Sequence, residues 1–339
     1  MKIILLVILK AVLIFLFLLI GILVLSYRSD LDAEGLVNKY SDEYSHFLEI
    51  DSVRVHVKVK GEGEPIFLIH GSFSSLHTWE AWEKELSPYF MTISMDLPGH
   101  GLTGPDPKMR YGIEDYASLV FKIADQLGIG EFHVAGNSMG GGVALKMASD
   151  QPDRILTLNL IDSSGANLRL DQDEKNKTPQ NNSSGALIFK IANHPILNKL
   201  MLKCTPEFVF KLNLKQVYYD DSKIREDQVR RYYELMRREG NRKATLDRLT
   251  TRKPYQVEFN KINMPVLIIW GAQDQWIPLS QGEKLASMIP DSILKVFDQA
   301  GHVPMEEIPT ESVAEYLSFL GIQMDVDYLS PPKFFSYAY

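Results

Sequence analysis

The stretch Gly136-Asn137-Ser138-Met139-Gly140 constrains this chain more than any other. It stands between a strand-like run, Phe132 to Ala135, and a segment with helical periodicity, Met139 to Ser149. A Cβ at either glycine would clash with neighbouring backbone, so glycine there permits an abrupt turn from strand into helix. Such a turn lifts a serine hydroxyl out of a sheet, where a second side chain and an incoming molecule can both reach it. Short Gly/Ser patterns arise by chance; the strand before and the helix after give this one its weight.

The rest of the chain supplies that context. Ile66 to Ile69 is a short apolar run, as expected of a strand covered on both faces, and Thr92 to Met95, Leu156 to Ile161 and Val266 to Trp270 repeat the character. Glu49 to Val59 alternates and ends at Gly61-Glu62-Gly63, which reads as exposed strands with a turn. Helical segments lie between them at Ser75 to Leu86, Ile113 to Leu127 and Met139 to Ser149. Strands alternating with helices predict an α/β chain with a mostly parallel sheet and helices on both faces. The rhythm breaks over residues 165–261. There a polar loop, Asp171 to Gly185, leads into amphipathic segments at Leu187 to Lys203, Glu207 to Leu214 and Ile224 to Arg238. It resumes at Met264, so the core divides into 47–164 and 262–321 around a helical insertion. The tail, 322–339, gives no clear signal.

The amino terminus differs in kind. From Ile3 to Leu25 the only charge is Lys10. About 20 apolar residues cross a bilayer, and Lys10 can snorkel. Residues 1–27 therefore read as a single transmembrane anchor, and the polar residues 28–46 as a linker. The run is longer than the apolar core of a secretory signal, and Leu25-Ser26-Tyr27-Arg28 is a poor cleavage site. Lys2 and Lys10 precede the apolar core, and acidic residues follow Arg28. A single-pass membrane protein with its catalytic domain on the non-cytoplasmic side is the expected arrangement. The net charge of −7 disfavours nucleic acid as a partner. The single cysteine, Cys204, excludes an intrachain disulfide, and no metal-binding spacing occurs, so no metal or cofactor is expected.

A serine needs a base to remove its proton as it attacks, and that base is commonly a histidine held by a carboxylate. Asp274, in Trp270-Gly271-Ala272-Gln273-Asp274, follows one late strand; His302, in Gln299-Ala300-Gly301-His302, follows the next, Ile293 to Phe297. Both fall at carboxyl ends of strands, the edge where open α/β sheets place their sites. Asp162, ending the strand before the insertion, is the competing acid. Two backbone N–H donors for an oxyanion would come from Met139, at the start of a helix, and from the loop after Phe67 to Gly71, at Ser72 first and Phe73 second. His70 and His100, beside glycines, read as residues that hold loops by hydrogen bonds.

From residue 47 to 321 the chain resembles the α/β-hydrolase superfamily. It is most similar to bacterial membrane-associated lipases/esterases and membrane-anchored monoacylglycerol lipases. The carrying motifs are His70-Gly71-Ser72, Asp96-Leu97-Pro98-Gly99-His100-Gly101, the Ser138 pentapeptide, Trp270 to Asp274 and Gly301-His302, in the family's order. The resemblance implies a Ser138–His302–Asp274 triad, an oxyanion hole at Ser72 and Met139, and a lid over Ser138 made by residues 165–261. It implies hydrolysis of carboxylic esters through an acyl-enzyme, with a lipid-like acyl ester such as monoacylglycerol as the small-molecule substrate. Ile196, Leu197, Leu200, Met201, Leu202, Phe208, Val209 and Phe210 would either line an acyl-chain pocket or pack on the core. The arginines of Arg225 to Arg238 would touch anionic headgroups or form a solvated helix face. Epoxide hydrolases and haloalkane dehalogenases carry aspartate where this chain has Ser138. Carbon–carbon hydrolases of the meta-cleavage type share the Gly-Asn-Ser-Met-Gly-Gly elbow but usually place tryptophan after the histidine, where this chain has Val303. They are the alternative reading, beside a ligand-sensing fold with negligible turnover.

Overall fold

The computed structural model describes residues 24–166, 202–251 and 254–322, together with residue 194 and scattered positions before 24. Among these residues one eight-stranded sheet forms the frame, in the order β1-β2-β4-β3-β5-β6-β7-β8. Its strands are β1 (Ser45–Ile50), β2 (Val53–Lys60), β3 (Glu64–Ile69), β4 (Phe90–Met95), β5 (Phe132–Asn137), β6 (Ile155–Ile161), β7 (Val266–Gly271) and β8 (Ile293–Phe297). β2 runs antiparallel to β1 and β4, and every other pair is parallel. The wholly apolar runs take the centre: Ile66, Phe67, Leu68 and Ile69 have no exposed surface, nor do Leu267 to Trp270.

One face is covered by α3 (Ile113–Gln126), α4 (Met139–Asp150) and α8 (Leu279–Met288), which bury Tyr116, Val120, Val143, Met147 and Leu285 against the sheet. The other carries α2 (Glu80–Leu86), α9 (Pro304–Glu307) and α10 (Pro309–Phe319). There Trp82 stacks on Tyr316 at 5.3 Å and donates its indole N–H to Ser312 at 3.0 Å. Each such side chain contributes about 1.5–3 kcal/mol by leaving water.

The sequence signals misplace two segments. Val55, His56 and Val57 of β2, expected on an exposed strand, are wholly buried. Alternation suggested one wet face, but the polar member, His56, is sunk into a hydrogen bond with Asp96 at 2.8 Å. Residues 28–46, expected as a linker, hold α1 (Ala33–Tyr40), capped by Asp32, and the start of β1. This segment lies on the insertion, whose described helices are α5 (Glu207–Val217), α6 (Glu226–Met236) and α7 (Asn241–Thr250). Arg28 N donates to Lys203 O, Leu31 N donates to Arg237 O and Glu239 N donates to Leu31 O. Asp30 pairs with Arg242 at 2.6 Å, and Lys39 and Tyr40 both reach Glu234.

Most of the expected anchor, residues 1–27, lies outside the described residues, as do the polar loop Asp171 to Gly185, most of Leu187 to Lys203 and the tail from 323. Described positions such as Leu13, Phe17 and Leu25 are helical with exposed apolar side chains. Among the described residues no helix is long and apolar enough to cross a membrane. Phe208 and Val209, considered for an acyl-chain pocket, are 62% and 46% exposed and face solvent. Phe210 instead packs edge-on against Tyr233. Within Arg225 to Arg238, Arg231 pairs with Glu80 and Arg237 donates to Ser29 O, while Arg230 is exposed.

Candidate active site

Ser138 stands on the turn between β5 and α4 with φ +55° and ψ −115°. A non-glycine residue held there costs about 1–3 kcal/mol, which the surroundings must supply. They do so by hydrogen bonds: Ser138 N donates to Ile161 O, while Ser138 O accepts from Gly142 N and Ser164 N. Glycine is required beside it. A Cβ on Gly136 would lie 2.2 Å from Gly140 O, and one on Gly140 would lie 2.1 Å from Ile69 O. The glycines therefore let α4 settle directly on the sheet.

His302 and Asp274, on loops after β8 and β7, meet in a 2.7 Å contact between Nδ1 and Oδ2. Asp274 Oδ1 accepts from Trp276 N and Ile277 N, which aims the carboxylate. His302 N donates to Val217 O, and Asn137 Nδ2 donates to His302 O, fixing the backbone from both sides. With Nδ1–H given to Asp274, Nε2 carries the lone pair; it is buried and has no hydrogen-bond partner among the described residues. No hydrogen bond joins Ser138 Oγ to Nε2, a bond that is commonly long before substrate binds. The histidine pairs with Asp274 and not with Asp162, the competing acid. Asp162 is wholly buried with φ +43°, and its Oδ1 accepts from Gly271 N. Burial first, then the charge of Asp274, pushes its carboxyl well above the usual range.

The loop after β3 closes the other side of Ser138. A Cβ on Gly71 would come within 3.0 Å of Ser138 Cβ, so only glycine lets this loop approach. Ser72 Oγ touches Met139 Sδ at 3.4 Å. Met139 opens α4, where amide N–H groups lack helical acceptors and the dipole is positive. Phe73 holds φ +64° and sets its ring edge-on to Trp276, which in turn packs 5.6 Å from the His302 ring. Ser72 and Met139 thus meet beside Ser138, and Phe73 packs toward Trp276.

Arg248 was not anticipated. It is buried, its Nη1 donates to Ser72 Oγ at 2.9 Å and to Met139 Sδ at 3.5 Å, and its guanidinium lies over the Phe73 ring. Its helix, α7, buries Ala244, Thr245, Arg248 and Leu249. The helix also buries Asn241 and Arg242, so the helical spacing was present in the sequence but four of its six members are polar. Also unforeseen is the adjacent pair Glu306 and Glu307 of α9. Glu306 gathers Thr78, Tyr218, Gln228 and Tyr232. Glu307 accepts from Tyr219 N and Asp220 N on one oxygen and from Gly301 N on the other. The loop bearing His302 is thereby tied to the insertion.

His70 and His100 act in loops, as their settings suggested. His70 Nδ1 meets Gly71 O at 2.7 Å and Nε2 accepts from Leu97 N; burial holds its pKa down, as it does more strongly for His100. Asp96 anchors the same loops by accepting from Leu76 N and Leu102 N as well as from His56. Burial raises its pKa, but the hydrogen bond and charge of His56 outweigh burial and hold it below the carboxylate range.

Residues 64–309 match the family model described as alpha/beta hydrolase fold. Among curated proteins, a 2-hydroxy-6-oxononadienedioate/2-hydroxy-6-oxononatrienedioate hydrolase of Comamonas testosteroni is 28% identical over 264 residues, 75% of this chain and 86% of the relative. Among solved structures, a bacterial membrane phospholipase A superposes with a TM-score of 0.69 at 23% identity, over 92% of this chain and 97% of its own. A meta-cleavage product hydrolase of Pseudomonas fluorescens does so with 0.66 at 23% identity, over 81% and 97%. At that identity the two structures speak for the fold. With its sheet order, its turn at Ser138 and the family match over most of its length, the chain belongs to the alpha/beta hydrolase family.

Proposed function

We propose that the chain is a serine hydrolase in which Ser138 attacks a carbonyl carbon, His302 takes its proton and Asp274 orients the imidazole. The observation that carries this reading is the His302 Nε2 lone pair, buried without a partner while Nδ1 is committed to Asp274. The amides of Ser72 and Met139 receive the oxyanion, worth about 3 kcal/mol each to the transition state. His302 then protonates the leaving group, and water activated by the same imidazole releases the acid.

Two scissile bonds suit this attack. A carbon–carbon bond beside a ketone is favoured by the curated relatives, whose substrates are named as dioates and dienoates. Arg248 supports it, because a buried guanidinium touching Ser72 and Met139 suits a substrate with a carboxylate near the carbonyl. A carboxylic ester of lipid-like acids is the second reading. It is favoured by the apolar run Ile3 to Leu25, which would anchor the protein in a membrane with the catalytic domain on the non-cytoplasmic side. Val303 after His302 also sits better with the ester than with carbon–carbon cleavage. One experiment tests both. The full chain and Ser138→Ala are assayed on 2-hydroxy-6-oxo-dienoates and on p-nitrophenyl and glycerol esters of varied chain length. Turnover of one class, abolished in the variant, decides between them; equal turnover by the variant removes Ser138 from the mechanism.

A further inference from the structure

Asp162 has no task in the mechanism so far, yet its placement is costly. It is a fully buried carboxyl on a residue with φ +43°, at the end of β6 and beside the reacting groups. Its oxygen, an Asp274 oxygen and a His302 ring nitrogen all lie within 4.8 Å of one another. Asp162 Oδ1 accepts from Gly271 N, in the turn that carries Asp274, and Oδ2 meets no N–H or O–H donor among the described residues.

Two buried carboxylates this close do not both ionise. Which one keeps the proton follows from the donors around each. Asp274 receives the imidazole N–H and two amide N–H groups, all favouring its charged form. Asp162 receives a single amide. The groups facing Asp162 are Asp274, His302 and Glu307; burial, then the charges of the two carboxylates, disfavour its ionisation.

We propose that Asp162 is a positioning residue that stays protonated and donates its hydrogen to Asp274, so that the carboxylate is held in its orientation toward His302 and its basicity is tempered. This rests on the roles assigned above to His302 and Asp274. A neutral acid donating to a carboxylate makes that carboxylate a weaker base. The Nδ1 proton then remains on His302 when Nε2 takes the proton of Ser138, and the charge that develops is imidazolium facing carboxylate.

The test uses Asp162→Asn and Asp162→Ala in the full chain, with the pH profile of kcat/KM and the low-field proton resonance of His302 Nδ1–H. Asparagine can accept from Gly271 N and donate to Asp274, so Asp162→Asn is expected to stay within about threefold of the parent, with an unmoved acid limb and an unmoved resonance. Asp162→Ala loses the donor. Its kcat is expected to fall roughly tenfold or more, the size of one hydrogen bond to a charged group, with KM little changed. Its acid limb should move to higher pH, because Asp274 then stabilises imidazolium more strongly. Equal damage in both variants would mean that Asp162 acts as an ionised acid and would overturn the proposal. So would an alanine variant that loses stability alone, with profile and resonance unmoved. If Asp162→Ala does not fold, Asp162→Leu, which keeps the branched shape and lacks the donor, is read in its place. The resonance needs no turnover, so a chain that hydrolysed none of the substrates above would refute the proposed function and still leave this contact tested.

Discussion

Glu307→Gln isolates the tie between the insertion and the His302 loop. The Glu307 side chain is 3% exposed, and its two oxygens take three backbone N–H groups at 2.7–2.9 Å. Glutamine offers one carbonyl oxygen and one NH2. The better rotamer keeps the oxygen on Tyr219 N and Asp220 N and turns the NH2 toward Gly301 N, donor against donor. One buried N–H is orphaned at about 1–3 kcal/mol, and the two remaining bonds lose their charge assistance. The expected loss is roughly 2–4 kcal/mol of stability, read as a lower urea midpoint at constant slope. Gly301 precedes His302, so kcat should fall with it. The alternative rotamer sacrifices two bonds and costs more, so neither orientation escapes. A variant within about 0.5 kcal/mol of the parent, at undiminished kcat, would refute the claim that this carboxylate fixes the histidine loop.

Two other outcomes follow from buried charges. Asp96 titrates in the folded state below its unfolded value, so its contribution is present above the ordinary carboxylate range and lost as pH falls through the folded value. Urea midpoints should drop steeply on acidification in the parent but flatly in Asp96→Asn, which itself should cost about 3 kcal/mol or more at pH 7; parallel slopes would contradict this. Arg248→Gln should reduce kcat/KM at least tenfold more for a substrate bearing a carboxylate beside the reacting carbonyl than for a neutral one, and equal losses would remove the arginine from anion recognition.

What the sequence disclosed, and what it hid, divide along one physical line. Ser138, Asp274 and His302 sit in short loops at strand ends, where glycines and apolar runs mark the position within a few residues. The central strands were equally plain, because burial on both faces gives them short apolar runs, such as Ile66 to Ile69 and Val266 to Trp270. β2 was misread since a polar residue in it, His56, is buried against Asp96 from the loop after β4. Alternation cannot distinguish such a residue from one facing water. Arg248 and Glu307 escaped for a related reason. Each looks like an ordinary charged residue of a helix, and its meaning arises only when Ser72 or Gly301 arrives from far along the chain.

The same reasoning explains why residues 28–46 looked like a linker. Their charges and short apolar spacing suggest solvation, but their partners lie on the insertion, some two hundred positions away. The insertion is thus gripped at two places by different parts of the chain. Asp30, Lys39 and Tyr40 hold α6 and α7 through Arg242 and Glu234, while Glu306 and Glu307 hold the end of α5 and the loop beyond it. Arg248 is on α7 and His302 is bonded to Val217, the last residue of α5. Each grip therefore serves a different side of the serine, the arginine and the Ser72 loop on one and the imidazole on the other. Because Glu306 also accepts from Gln228 and Tyr232 of α6, the helix that Lys39 and Tyr40 hold through Glu234, a shift of the insertion that opened one side would pull on the other through α6.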